Sequence, residues 1–297
     1  MVFDYLIAYI TTPYGIISIV LGLLVLILAS ITDIQTREVP DMLNYGFLFI
    51  AIAARLVYSA VEGNPYLLLE GFFGFLVGLS FGSIMFYTGQ WGGGDSKMLL
   101  GLGVLFGIPF QFDVLLFNSF FIAFLVNMLF AGSIFGMVWS AVLALRDRKR
   151  FAKAWHDALA RSRIARFSFG VLAVIIVGLG IMTDVFWLFI LMGILVFSIG
   201  YVYAFARAVE RNSMVKRVKP SVLTEGDWID KDVFYKGKRI CGPKDLGITK
   251  KQIALLKRYK VRFVFVKSGI PFIPGFLLGF LLTLGVGNVL VYVMYML

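Results

Sequence analysis

The chain has one cysteine and one histidine in 297 residues, Cys241 and His156. A single thiol excludes an internal disulfide, a Cys-x-x-Cys zinc site and an iron–sulfur cluster, each of which needs several thiolates. A single imidazole excludes the His-x-x-x-His ligation of zinc peptidases and every two-histidine metal site. No metal and no cofactor is therefore expected. Charge is scarce too, at 15% of residues against about 25% in soluble domains. The first cation is Arg37, so the N-terminal stretch lacks the basic region that opens a cleavable signal peptide. Any bond-breaking chemistry falls to carboxylates.

Apolar side chains make up 60% of the chain, and they come in long runs. Tyr5 to Thr32 is 28 residues without Asp, Glu, Lys or Arg, beyond the roughly 20 that a helix needs to cross a bilayer. The pattern predicts an all-α polytopic membrane protein of about eight transmembrane helices. They fall near 14–32, 42–61, 67–88, 97–109, 113–145, 168–183, 185–206 and 270–295. The fourth run is short. The fifth, at 33 residues, would extend about 50 Å as one helix, so it is expected to project from the bilayer or to bend near Gly132 to Gly136. Only Thr183-Asp184 parts the sixth from the seventh, which leaves one kinked span as an alternative.

Orientation follows from the cations. With the N-terminus outside, the inner segments are 33–41, 89–97, 146–167 and 207–268, and they hold 27 of the 28 Lys and Arg; the exception is Arg55. This is the positive-inside pattern of a multi-pass plasma-membrane protein. The formal net charge of +11 then reads as attraction to anionic lipid, with no nucleic acid as partner.

The expected organisation is a transmembrane core over 1–145, a basic amphipathic segment over 146–167, helices over 168–206, a small α+β cytoplasmic module over 207–268 and a C-terminal transmembrane helix over 269–297. The basic segment is expected to lie on the membrane surface, with His156 a solvated interfacial side chain. In the module, Val233 to Cys241 reads as a hairpin turning at Lys236-Gly237. Thr249-Lys-Lys-Gln252 is a capping box opening a short helix, and Val261 to Val266 reads as a strand. Cys241 is expected to be a packed small side chain.

Three acids lie within or at the edge of an apolar run beside unusual sequence: Asp33, Glu70 and Asp95. Ionisable groups at that depth are costly and are functional candidates by default. Glu70 is close enough to the end of its run for an interfacial position. Asp33 ends the first run, on a face where cations dominate. Asp95 follows Gly92-Gly93-Gly94, which permit positive φ or close approach of the backbone. Asp33 and Asp95 fall at one depth, from different helices.

Asp33-x-x-x-Arg37-x-Val-Pro40, followed by Gly92-Gly-Gly94-Asp95-Ser-Lys97, resembles the GxGD aspartyl membrane proteases, closest to the type IV prepilin peptidases and archaeal preflagellin peptidases. Pro271-Phe-Ile-Pro-Gly275 is similar to a proline-bearing stretch of the archaeal members. The resemblance covers residues 14–145 well and 207–295 more loosely. It implies an endopeptidase that removes the short basic leader of pilin-like or archaellin precursors at the cytoplasmic face. Asp33 and Asp95 would be its catalytic pair. The Cys-x-x-Cys motifs and methyl transfer of bacterial relatives have no counterpart in this sequence, and neither has the Pro-Ala-Leu motif of presenilin-like proteins.

Two adjacent carboxylates cannot both ionise cheaply, so one keeps a proton. The ionised one would deprotonate water for attack on the peptide carbonyl, and the other would stabilise the oxyanion and protonate the leaving amine. The glycines would let Asp95 swing toward Asp33. Lys97 would attend Asp95 or anchor the helix at the interface, and Arg37 would orient a carboxylate or bind lipid phosphate. Glu38 and Asp41 would meet the basic leader. Glycine-broken helices and membrane acids also suit an ion or solute transporter, and a basic face suits a non-catalytic scaffold.

Overall fold

A computed structural model describes residues 9–109, 119–245, 247–267 and 269–296. It divides into two compact units, Met1–Met137 with Gly269–Leu297, and Val138–Ser268. The described residues are mostly helical, and among them six helices are long and apolar enough to cross a membrane. They keep large apolar side chains outward, among them Phe49, Val57, Val174 and Leu195. That much exposed apolar surface suits lipid and not water.

The first unit begins with α1 (Pro13–Thr36). Thr12 caps it by accepting from the Gly15 amide at 2.9 Å, and Pro13 supplies a preset φ at the first helical position. Arg37 ends it in the left-handed region, φ 63°, donating its N–H to the Asp33 carbonyl. Next come α2 (Asp41–Val61), α3 (Tyr66–Tyr87), α4 (Gly93–Phe106) and α5 (Phe120–Arg146). After the second unit, the chain closes with α10 (Ile273–Val286) and α11 (Val289–Met296).

The buried face of α3 is glycine alone: Gly71, Gly74, Gly78 and Gly82. A Cβ on Gly74 would strike the Gly103 carbonyl, and one on Gly82 would sit 3.2 Å from the Ser96 carbonyl. Backbone therefore packs on backbone along α3 and α4, as small-residue stripes allow in membranes. The Ser96 hydroxyl donates across the seam to the Gly82 carbonyl at 2.9 Å. Gly275 of α10 likewise approaches Gly132 of α5, and Phe121, Phe124, Phe276 and Phe280 form the apolar centre.

The expected runs map unevenly onto helices. The fourth and the last give helices of 14 residues, about 21 Å each and short of a 30 Å hydrocarbon core. The last run breaks at Gly287, where buried Asn127 donates to the Gly287 carbonyl and accepts from the Val289 amide at 3.1 Å. The fifth begins at Phe120 and runs 27 residues without interruption at Gly132 or Gly136. Its expected start, 113–118, lies outside the described residues. The sixth and seventh are two helices, not one kinked span.

Those two are α7 (Arg163–Gly180) and α8 (Phe186–Val209), in the second unit with α6 (Arg148–Arg161). Gly193 against Val177 and Gly200 against Arg166 set α7 and α8 antiparallel. The basic segment divides at Ser162, so Arg163 and Arg166 belong to α7. The apolar face of α6 (Phe151, Trp155, Ala158) is packed on Ala204, Phe205 and Ala208 of α8. Protein thus covers part of that face; the sequence pattern marks the amphipathic face but not this partner.

The module contains β1 (Val215–Val218), β2 (Trp228–Ile229), β3 (Val233–Tyr235), β4 (Lys238–Cys241), α9 (Lys250–Arg258) and β5 (Val264–Lys267). Antiparallel β1-β5-β2 forms one sheet and the β3–β4 hairpin another. The hairpin turns at Lys236-Gly237 with both φ positive, as expected for a two-residue loop. Thr249 and Gln252 form the reciprocal cap, and the strand read over 261–266 is observed at Val264–Lys267. Cys241 is fully buried among Ile229, Ile240, Ile248 and Leu256. Burial, helped by the Asp245 charge, pushes its thiol up to about 11. At pH 8 only about one thiol in a thousand is then thiolate. Aromatic disulfide reagents are expected to label it slowly in the native protein and quickly in denaturant; equal rates would contradict this packing.

Candidate active site

The acid-bearing helix ends are set by sequence-local rules. Asp33 lies in the last turn of α1 and is 4% exposed. Asp95 lies in the first turn of α4, where its Oδ2 accepts from the Gly92 amide at 3.0 Å. An acid there satisfies an amide that the helix itself leaves free. Gly92 has extended backbone, φ −74°, and Gly93 and Gly94 already belong to α4. None of the three takes positive φ. What the run supplies is proximity: a Cβ on Gly94 would lie 3.2 Å from Val39 Cβ and 3.3 Å from its nitrogen.

Helix register brings the two acids to one level. Gly22 of α1 lies against the Phe106 ring of α4. Eleven residues on along α1 is Asp33, and eleven back along antiparallel α4 is Asp95. A third element binds this end together. Ile273 at the start of α10 donates its amide to Asp33 Oδ2 at 3.0 Å, with the Phe272 amide beside it. Trp91, 4% exposed, packs on Phe272 and Phe276 at 5.3 and 5.1 Å between centroids. Pro271-Phe-Ile-Pro-Gly275 thus touches both the acid of α1 and the segment that delivers the acid of α4.

The remaining candidates spread around this centre. Pro40 is the N-cap of α2. Arg37 donates to the Gly269 carbonyl at 2.7 Å, tying the α1 exit to the α10 approach. Lys97 bonds Asp41 and lies 5.0 Å from the Tyr45 ring centre, so its contacts are with α2 and not with Asp95. Glu38 is exposed on the α1–α2 connection. Glu70 is at the opposite end of the helix cluster, paired with Arg55 at 3.3 Å. Sequence reading missed the Ile273 amide and Trp91 as site components. Proline at the start of α10 was the available signal, since it fixes where a helix begins.

Residues 20–141 match the model of the type IV leader peptidase family, and both aspartates lie inside that stretch. Among relatives of the leader-peptidase stretch, a preflagellin peptidase of Methanococcus maripaludis is 35% identical over 130 residues, 41% of this chain and 55% of the relative. One of Methanococcus voltae is 35% identical and one of Methanocaldococcus jannaschii 30% identical, each over 89 residues, 30% of this chain and 38% of the relative. The chain thus spans about half the length, or less, of the curated relatives it matches. No solved structure matches it. Among the described residues no group of His, Cys, Asp or Glu could hold a metal ion.

Proposed function

We propose that the chain is a membrane aspartyl endopeptidase that removes the short basic leader from type IV pilin-like or archaellin precursors, without methyl transfer. The observation that carries this reading is the juxtaposition of Asp33 and Asp95, from two helices of the leader-peptidase stretch, at one level. One carboxylate takes a proton from water as the water attacks the peptide carbonyl. The other donates to the developing oxyanion and then protonates the leaving amine. The pair shares one proton, and its apparent pKa values belong to both acids together.

The cation distribution supports an acid pair facing the cytoplasm, with anionic lipids against the basic segments. A precursor with a basic leader ahead of an apolar helix suits that level, because the cleaved bond then lies where lipid meets water. Glu38 is the exposed acid nearest this end in sequence and is assigned to the leader; Asp41 is engaged by Lys97.

The test is incubation of the detergent-solubilised full chain with a pilin-type and an archaellin-type precursor, read by product mass. Wild type yields the precursor shortened by its leader, and Asp95→Asn yields none. Full product from Asp95→Asn overturns the acid-pair reading.

A further inference from the structure

Two buried polar atoms beside the acid pair have no hydrogen-bond partner among the described residues: Asn44 Oδ1 and Ser30 Oγ. Asn44 is 1% exposed and Ser30 5%. Buried polar atoms are satisfied in the great majority of cases, so an orphan calls for a water or another missing partner. The Asn44 amide nitrogen reaches the Val39 carbonyl at 3.5 Å. A carbonyl only accepts, so Nδ2 faces it and Oδ1 is the atom left over.

Both side chains map to the same place. Phe47 of α2 lies against Gly101 of α4, and Val39 lies against Gly94, so the two helices run parallel. Three residues back from Phe47 and Gly101 are Asn44 and Met98. On α1, Ser30 shares the buried face of Asp33 and lies one turn before it. The antiparallel register that sets Asp33 beside Asp95 sets Ser30 beside Met98 as well. Two buried polar atoms without partners, on different helices, are therefore placed at one level, a turn further into the bundle than the acids. Met98, 0% exposed, is at the same level of α4.

We propose that Asn44 and Ser30 are positioning residues that hold the attacking water against the acid pair from its buried side. This rests on the acid-pair reading of the site. Asn44 Oδ1 accepts one water hydrogen, and Ser30 Oγ takes part in the same hydrogen-bond set. The water's other hydrogen and its lone pair are left to the ionised acid and the substrate carbonyl carbon. Such a water needs two to four polar partners in a polar niche, and the acids with these two side chains supply them.

A structural role and a positioning role predict opposite stabilities. The one protein contact of the Asn44 amide is the 3.5 Å approach to the Val39 carbonyl, at the limit of a hydrogen bond, so an apolar side chain of similar shape there is close to neutral for stability. Asn44→Leu is therefore expected to keep the melting temperature in detergent within a few degrees while lowering kcat about a hundredfold at unchanged KM, the scale of a misplaced reacting group. Ser30→Ala, the milder change, is expected to lower kcat at unchanged KM and melting temperature. Wild-type kcat in both variants, with Asp33→Asn and Asp95→Asn inactive, overturns this inference and leaves the acid pair standing. A melting temperature that falls together with kcat in both variants also overturns it. Full activity of Asp33→Asn and Asp95→Asn overturns the acid pair and the inference with it.

Discussion

On the proposed function, Asp33→Asn and Asp95→Asn are each expected to lower the rate of leader cleavage by about a hundredfold to ten-thousandfold, the range that positioned acids and bases contribute. The fold is expected to survive both changes. An asparagine oxygen at 33 still accepts from the Ile273 amide, and one at 95 still accepts from the Gly92 amide. What asparagine lacks is the capacity to take up or deliver a proton. The double variant is expected to be little worse than either single one, since groups that act as one catalytic unit have effects that do not add. Single-turnover cleavage with thermal unfolding in the same detergent checks both parts. A melting temperature that collapses in Asp95→Asn would move that residue from chemistry to structure.

The second large effect lies at the opposite end of the same helices. Arg55 is 4% exposed as a side chain and pairs with Glu70, which is 28% exposed. Its guanidinium also donates to the carbonyls of Val104 at 2.9 Å, Leu67 at 2.8 Å and Leu105 at 3.3 Å, and lies 5.1 Å from the Tyr14 ring centre. Those carbonyls include the last ones of α4, which the helix cannot satisfy itself. Arg55→Met strands Glu70 and these acceptors together, with an expected cost of about 3–5 kcal/mol. Glu70→Gln is expected to cost far less, because the arginine keeps its carbonyl partners and Glu70 is partly exposed. Unfolding in mixed micelles measures both, and equal losses would show that the ion pair outweighs the carbonyl contacts.

Glu70 illustrates how far the sequence was legible. Its place near a helix end reads as interfacial, and Arg55 as an isolated exception, because neither residue's spacing reveals the other across a helix pair. Asp33 and Asp95 were legible for the opposite reason: each sits inside a local pattern that terminates or opens a helix. Lys97, two residues from Asp95 in sequence, points to Asp41 because neighbours two apart on a helix do not share a face. Cys241, the hairpin at Lys236-Gly237 and the cap at Thr249 follow from contacts within a few residues, where sequence is most informative. The start of α10 was marked by its prolines, but its contact with Asp33 spans 240 positions, and no local pattern carries that.

The glycine seam between α3 and α4 bears on how the acids would be brought into working register. With backbone against backbone from Gly74 to Gly82, neither helix can slide or twist past the other without steric overlap, so Asp95 travels only as cargo on a stiff two-helix plate. Gly94 beside it is packed against Val39, so a rearrangement that changed the spacing of the two acids would tilt that plate against its neighbours.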